Sequence, residues 1–505
     1  MPSLPRTGEP YQLAGKRLVF TNWFFIRPGS FGWYDKNGAN ISVGGSAALG
    51  EAEMRRSNVP TGIRLVAQKA KRRGPVFTSE KPWENPKGIM LSTVIHDGGR
   101  YRAWAADCCY ESSDGMDWLR PDIGIVEKDG SRANNLIDLN TTGGTVFRDP
   151  SAPDSERYKW VGLNSVSREE YDAFRKRRPD AWEPRADRTD VGQVFALRGA
   201  VSPDGFHWTM PPDPLAVEHS DTHVTAYYDE HLRKYVIYTR NYMIGPTAGS
   251  FHDERFRVWW DQGRRSIGRT ESANFREFPL SEVILAPTPD MEPSDLLYTN
   301  CRTTIPGATD LHLMFPAIWH AAVDDTTSIA LASSHDGRVW QWVPGPRVLK
   351  TGTLGEWDGG CVFTAPNLIE LPNGDFALPY TGYLFPHKYP RGQLKYAGGY
   401  AIWPKGRLIA LEAQDRGEFA TAILMPPGNR MTINAVAHGS IRIEVADYDG
   451  NASTGRSFDD SIPIGGDAFR TTVAWKSGND LGHGGKPFML KFRMEKASIF
   501  GIDFH

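Results

Sequence analysis

From Lys81 onward, apolar and polar positions alternate in short bursts between turn residues, and the alternation keeps a rhythm. A polar or acidic opening leads into a strand, a turn, and a second strand rich in Tyr and β-branched residues. The turns and second strands run in order through His96-Asp97-Gly98-Gly99-Arg100-Tyr101-Arg102-Ala103-Trp104, residues 154–161, Asp229-Glu230 leading to Tyr235-Val236-Ile237-Tyr238, residues 307–313 and residues 372–378. Period-two alternation bounded by Gly, Asn and Asp predicts β-hairpins, and five such units follow one another.

Four of these units are followed by a second turn signal with a common spelling. It reads Ser112-Ser113-Asp114-Gly115-Met116-Asp117-Trp118, Ser202-Pro203-Asp204-Gly205-Phe206-His207-Trp208 and Ser334-His335-Asp336-Gly337-Arg338-Val339-Trp340, with a blurred copy at Ser272-Ala273-Asn274-Phe275-Arg276-Glu277-Phe278. Asp-Gly favours a tight turn because Gly accepts positive φ and Asp bonds its own backbone. The aromatic residue that follows can anchor the returning strand. Two strands of the plain hairpin and two around the Asp-Gly turn make a four-stranded sheet. Repetition of such a unit predicts a propeller, whose radial packing leaves only short edges. The fold expected is therefore all-β: a five-bladed β-propeller followed by a β-sandwich domain.

The fifth unit runs instead through residues 400–403 into 407–411 and is expected to end near Glu412. Beyond it the texture changes to short strands at 421–424, 430–436, 440–447, 471–475, 488–493 and 498–504, with turns such as Tyr448-Asp449-Gly450. That pattern predicts the sandwich. Residues 1–78 are irregular apart from a strand signal at 18–26. They are read as a leader wrapping the propeller, which spans 79–412, with the sandwich over 413–505. A charged insert at 167–191 has helical tendency across 168–178 and is expected in a rim loop. Residues 249–260 are expected to form a second rim loop.

Composition agrees with this reading and narrows the partners. A chain of 505 residues with 51 Gly, 36 Pro, 16 Trp and 18 Tyr is turn-rich and aromatic-rich, which favours β structure. A net charge of −2 gives no electrostatic footprint for nucleic acid or an anionic membrane surface. The basic runs Lys69-Ala70-Lys71-Arg72-Arg73 and Arg175-Lys176-Arg177-Arg178 read as solvated faces. No apolar run is long enough for a transmembrane helix. The first residues lack the apolar core of a signal peptide, so a cytoplasmic location is expected. Cys108, Cys109, Cys301 and Cys361 are spaced for neither a zinc site nor a disulfide scaffold and read as buried free thiols.

In a propeller, loops at the mouth of the axis carry function. Counting back from each hairpin to the opening of its innermost strand finds Glu84 in Pro82-Trp83-Glu84-Asn85, Asp221 in His219-Ser220-Asp221-Thr222-His223, Tyr298 to Asn300, and Glu356-Trp357-Asp358. For the second unit the acid is Asp149, close to its turn. Carboxylates from different blades can face one another across the axis. Glycoside cleavage needs two, one protonated to donate to the leaving oxygen and one ionised as base or nucleophile. Glu84, Asp221 and Glu356 are the expected catalytic carboxylates, with Asp221 or Glu356 as donor and Glu84 as base or nucleophile. Trp83 and Trp357 offer flat faces to sugar C–H groups, and His223, Asp358 and Arg240 offer hydroxyl or anion contacts. Arg264, Arg265, Arg269 and Arg302 could also grip an acidic group. With one residue type and no further acid at ligand spacing, a metal site is not expected around His219 and His223, and no cofactor is called for.

The Ser-x-Asp-Gly-x-x-aromatic phrase resembles the Asp-box of β-propeller glycosidases. The five-unit rhythm and acidic openings resemble the five-bladed glycoside hydrolase clan that includes invertase-like and arabinanase/xylosidase-like enzymes. Arg148-Asp149-Pro150 matches the Arg-Asp-Pro motif of the invertase-like group, and the resemblance implies that Asp149 binds hydroxyls. That group's Trp-x-Asn-Asp-Pro-Asn-Gly motif is absent, and Trp83-Glu84-Asn85-Pro86 is its distant echo. The resemblance implies an O-glycosyl hydrolase acting on an oligo- or polysaccharide. Three alternatives stay open: a non-catalytic carbohydrate-binding propeller, a sialidase-like enzyme using Tyr298 and Arg302, and a polysaccharide lyase.

Overall fold

A computed structural model describes residues 8–41, 49–183, 186–188, 192–244 and 263–505. Each hairpin unit of the sequence builds an antiparallel sheet. Sheet one joins Thr93–Asp97, Arg100–Ala105 and Cys108–Ser112. Sheet two joins Thr145–Arg148, Tyr158–Val166, Gln193–Ser202 and Asp187–Arg188. Sheet three joins Thr225–Asp229, Lys234–Met243, Arg264–Ser272 and Glu282–Leu285. In sheet four the strands break near their middles. One half holds Asp295–Thr299, Ala317–His320, Thr327–Ile329 and Leu349–Lys350, and the other Arg302–Ile305, Ala308–Met314, Ala332–Ser334 and Gln341–Trp342. Cys301, with φ of 47°, marks the first break. Sheet five joins Cys361–Thr364, Phe376–Tyr383 and Tyr396–Trp403 to Lys71–Phe77.

These sheets close into a β-propeller, because the inner strands hydrogen-bond from one sheet to the next. Val146 N–H donates to Thr93 Oγ1 at 2.9 Å, and Thr145 Oγ1 donates to the Val224 carbonyl at 2.6 Å. Asn300 Nδ2 reaches the His223 and Tyr238 carbonyls, both at 3.2 Å. Thr303, on the first strand of sheet four, accepts at Oγ1 from Leu368 N–H at 3.0 Å, and Thr327, on its third strand, donates to the Val362 carbonyl at 2.8 Å. Val94 N–H donates to the Pro366 carbonyl at 2.8 Å and so returns the ring to sheet one. Inner-edge backbone groups that would otherwise be buried unpaired are satisfied in this way. Apolar layers fill the wedges between sheets: Trp104, Val146 and Trp160 between one and two, Phe147, Ile237 and Phe275 between two and three, and Tyr238, Leu297 and Met314 between three and four.

The Asp-Gly turns share one hydrogen-bond pattern. In each, the Gly N–H donates to the Ser hydroxyl, and two successive N–H groups donate to one Asp oxygen, as at Asp114, Asp204 and Asp336. The blurred copy keeps part of it, with Asn274 Oδ1 accepting from Arg276 N–H. The glycines take φ of 78°, 85° and 67°, where a side chain would be strained. Two turns also staple sheets together. Trp104 of sheet one donates to the Gly205 carbonyl at 2.9 Å, and Tyr238 of sheet three to the Gly337 carbonyl at 2.6 Å. Ser112 pairs with Tyr101 and Ser202 with Tyr158, each at the hairpin end of the second strand. The turns therefore sit at the end of the ring opposite the openings of the inner strands.

The leader is not a separate wrapping layer. Lys71–Phe77 is the outer strand of sheet five, and Arg64–Ala67 pairs with Ile409–Ala420. The strand expected at 18–26 is not continuous: Arg17–Leu18 pairs with Met489–Phe504, and Ile26 makes an isolated bridge to Thr421. The boundary expected between 412 and 413 falls inside the strand Ile409–Ala420. The C-terminal strands hydrogen-bond as one six-stranded sheet in the order Ile464–Thr472, Met431–Ala446, Met489–Phe504, Ile409–Ala420, Arg64–Ala67, with Arg17–Leu18 also on Met489–Phe504. Strands expected separately at 430–436 and 440–447 fuse into Met431–Ala446, because the intervening residues bulge instead of turning. Arg17 locks this sheet to the ring, donating to Asp503 at 2.6 Å, to the Pro306 carbonyl at 3.0 Å and to Glu370 at 3.0 Å.

The charged insert forms the helix Arg168–Arg177, the one α-helix among the described residues, opened by a reciprocal Ser167–Glu170 cap. Its Tyr171 and Phe174 pack on Ala181 and Val217. The rim loop expected at 249–260 lies outside the described residues. All four cysteines are buried and unpaired.

Asp336→Ala is expected to cost about 1–2 kcal/mol, the loss of a side-chain cap on two N–H groups, measured by urea unfolding. Burial alone would raise the Asp336 carboxyl, but the Val339 and Arg338 N–H groups hold it below its ordinary range. Its contribution is therefore full above that range and is lost as pH falls through the folded value. The stability gap between wild type and variant should close in acid.

Candidate active site

The inner strands open at the end of the ring away from the Asp-Gly turns, and there the axis widens into a cavity of about 490 Å³. All five sheets contribute to its wall. Met90 and Leu91 precede sheet one, Thr142 and Gly143 precede sheet two, and Asp221, Thr222 and His223 precede sheet three. Tyr298 and Thr299 end an inner strand of sheet four, and Phe363, Thr381, Tyr383, His387 and Arg391 come from sheet five and its loop. Phe195 and Leu163 extend the apolar wall on the side of sheet two. The volume lies within the range of small-ligand sites, and the mixture of aromatic faces with a few polar groups is typical of them.

Asp221 is the one carboxylate on this wall among the described residues. Its side chain is 40% exposed and ion-paired to Arg240. Arg240 lies buried in Lys234–Met243, its guanidinium 4.7 Å from the Tyr298 ring. Arg265, on the neighbouring strand, lies 5.0 Å from the Tyr298 ring and 5.0 Å from the Trp319 ring. His387 stacks on Trp319 at 4.7 Å and meets Tyr298 edge-on at 4.7 Å. Burial, with Lys388, Arg391 and Arg265 nearby, pushes the His387 imidazole down to about 4. Burial likewise pushes His223 down to about 4. Both rings are neutral near pH 7.

Three expected residues therefore meet at the axis: Asp221 and His223 on the wall and Arg240 behind it. The other six do not. Glu84 is fully buried beside sheet one, where its carboxylate accepts from Arg120 Nε at 2.7 Å, the Tyr110 hydroxyl at 2.9 Å, and the Glu80 and Lys81 N–H groups at 2.7 and 2.9 Å. Burial would raise this carboxyl, but Arg120 and the two N–H groups hold it below its ordinary value. Trp83 donates to Asn135 at 2.8 Å and packs into the core beside sheet one. Glu356 and Asp358 share Arg72 Nη1, at 2.9 and 2.7 Å, and Asp358 also accepts from Tyr380 at 2.8 Å. Trp357 stacks on Tyr380 at 5.3 Å. Asp149 sits at the hairpin end, holding Ser151, Tyr235 at 2.7 Å and Lys159 at 3.4 Å. Counting back from a hairpin finds where an inner strand opens but not which way its side chains point. The acids beside sheets one and five are captured by arginines of outer strands and loops.

The sialidase-like pair is not assembled either. Arg302 stacks on Tyr227 at 3.3 Å, while Tyr298 faces the cavity. Arg269 is taken up by Glu271. Among wall residues that sequence reasoning missed, Tyr383 ends the second strand of sheet five, and His387 and Arg391 lie on the connection from it to the third. That connection returns to the same end of the ring as the inner-strand openings. Its aromatic and basic spelling, Tyr383-Leu384-Phe385-Pro386-His387-Lys388-Tyr389, was the available signal.

No protein-family model and no curated protein sequence matches the chain. Among solved structures it is similar to a glycoside hydrolase at 12% identity and a TM-score of 0.41, over 66% of this chain and 92% of that one. It is similar to an α-L-arabinofuranosidase from Podospora anserina in complex with cellotriose at 12% identity and a TM-score of 0.39, over 68% and 98%. It is also similar to an N-acetylgalactosamine deacetylase from F. plautii at 12% identity and a TM-score of 0.41, over 67% and 95%.

Two outcomes follow from the placement of these groups. Glu84→Gln is expected to lower stability by on the order of 3 kcal/mol, since it unbalances a buried ion pair, whereas Glu356→Gln, on an exposed carboxylate, should leave the melting temperature unchanged. Thermal unfolding of both variants checks this. Because His223 and His387 titrate near 4 in the fold and near 6.5 in the unfolded chain, the unfolded state takes up protons first as pH falls. Stability should decline between about pH 6.5 and 4, and His387→Gln should shallow that decline in a pH series of melting temperatures.

Proposed function

We propose that the protein cleaves a glycosidic bond in an oligo- or polysaccharide, with the axial cavity as its active site. The observation that carries this reading is the wall itself. Five sheets bring one ion-paired carboxylate, Asp221, into a cavity whose sides are the aromatic rings of Phe195, Tyr298, Phe363 and Tyr383. Aromatic faces suit sugar C–H surfaces, and Thr142, Asn164, Ser165, Thr222 and Thr381 offer hydrogen bonds to hydroxyls. A carboxylate held against a buried guanidinium is suited to act as base or nucleophile rather than as proton donor. This assigns Asp221 the role first expected for Glu84.

A second reading is binding without cleavage. It is favoured by the presence of a single carboxylate on the described wall, since hydrolysis by the common route uses two. A screen of aryl glycosides and plant or algal oligosaccharides separates the two. Asp221→Asn is expected to lower the cleavage rate at least about 100-fold, and because it unpairs the buried Arg240 its folded state at the assay temperature is checked by circular dichroism. A substrate cleaved equally fast by wild type and Asp221→Asn would overturn the assignment. A glycan bound but never cleaved would establish the second reading.

A further inference from the structure

Among the described residues, charge around the axial cavity does not balance. Arg391 lies on its wall, and Lys388 stands 5.2 Å from the Trp319 ring that also carries Arg265. Arg240 and Arg265 flank Tyr298, itself a wall residue, so that four cations gather around Arg391, Tyr298 and Trp319. Among the described residues, the acids facing them are Asp221, which pairs with Arg240, and Asp325. Both Asp325 oxygens are engaged, Oδ1 by the Trp319 indole N–H at 2.9 Å and Oδ2 by the Lys388 backbone N–H at 2.5 Å. Arg265 has no carboxylate partner among the described residues. Its Nη1 is buried without a hydrogen-bond acceptor, as are Nε and Nη2 of Arg240, a residue only 3% exposed.

Buried guanidinium N–H groups without acceptors are costly. Two such cations flanking one tyrosine add like-charge repulsion, and burial together with Arg240 pushes the Arg265 guanidinium below its ordinary value. An anion placed beside Tyr298 would meet the orphan donors and offset the repulsion. The planar fork of arginine suits a carboxylate or sulfate oxygen pair. We infer that the axial cavity takes an acidic sugar, whose carboxylate or sulfate is gripped by Arg265, with Lys388 and Arg391 at the mouth. This rests on the reading of the cavity as a glycan site.

Calorimetric titration of the whole chain tests it. The probes are oligogalacturonate, oligoalginate and unsulfated chondroitin oligosaccharides, the carboxyl-reduced form of each, and a carrageenan oligosaccharide as the sulfated arm. At least one acidic probe is expected to bind tenfold or more tighter than its neutral counterpart, more weakly as salt rises. Arg265→Gln should erase that preference, Arg265→Lys should keep part of it, and the exposed Arg391→Gln should reduce it even if the first variant folds poorly. Tight binding of the sulfated probe alone would assign sulfate as the acid group. Neutral glycans binding as tightly as acidic ones would overturn the inference and leave the glycan site standing. Failure of every probe to bind would overturn the reading on which it rests.

Discussion

Closure of the ring is the constraint on which the rest of this structure depends. An inner strand has sheet partners on one side only, and its other edge would be buried without hydrogen bonds. The hydroxyls of Thr93, Thr145 and Thr303 and the amide of Asn300, on or beside inner strands, carry bonds to the neighbouring sheet. The last sheet is completed by Lys71–Phe77 from the start of the chain, so the two ends of the ring are tied by backbone pairing. Once the inner strands are tied in a circle, their openings converge on the axis, and a cavity there is a geometric consequence.

The two ends of the ring divide the work. At one end the Asp-Gly turns use Ser and Asp side chains to satisfy local N–H groups, and their glycine carbonyls accept from Trp104 and Tyr238 of the preceding sheets. Those turns are fixed and stabilising. At the other end, loops of different length surround the axis and present Asp221, Tyr298 and His387 to the cavity. Polar groups near the core therefore fall into two kinds. Glu84, Asp149 and Asp358 are saturated by arginine, lysine, tyrosine or backbone donors and hold loops in place. Arg240 and Arg265 retain N–H groups that no described residue satisfies. Unsatisfied buried donors beside an open cavity are better explained by a ligand than by stability.

The hairpins, the Asp-Gly turns and the capped helix were legible in the sequence, because each is decided by residues within one turn of one another. Gly98, Gly205 and Gly337 take positive φ where the spelling demands it, and Ser167 meets Glu170 across a single helical turn. Long-range pairing was less legible. The strands 430–436 and 440–447 were expected as separate, yet pairing with Met489–Phe504 carries the chain between them as a bulge. The role of Lys71–Phe77 was hidden because its charged residues are compatible with either a loop or an exposed outer strand.

The amino-acid order alone determined the repeat, the all-β character and the positions where inner strands open. Those follow from alternation and turn chemistry, which act over a few residues. Only the tertiary structure decided which acids reach the axis. Glu84 and Glu356 share the sequence setting of Asp221, but Arg120 and Arg72, brought near by packing, capture the first two. Asp221 meets Arg240 at the cavity itself. Side-chain direction and the location of a distant countercharge are set when sheets close on one another, and neither is a property of local sequence.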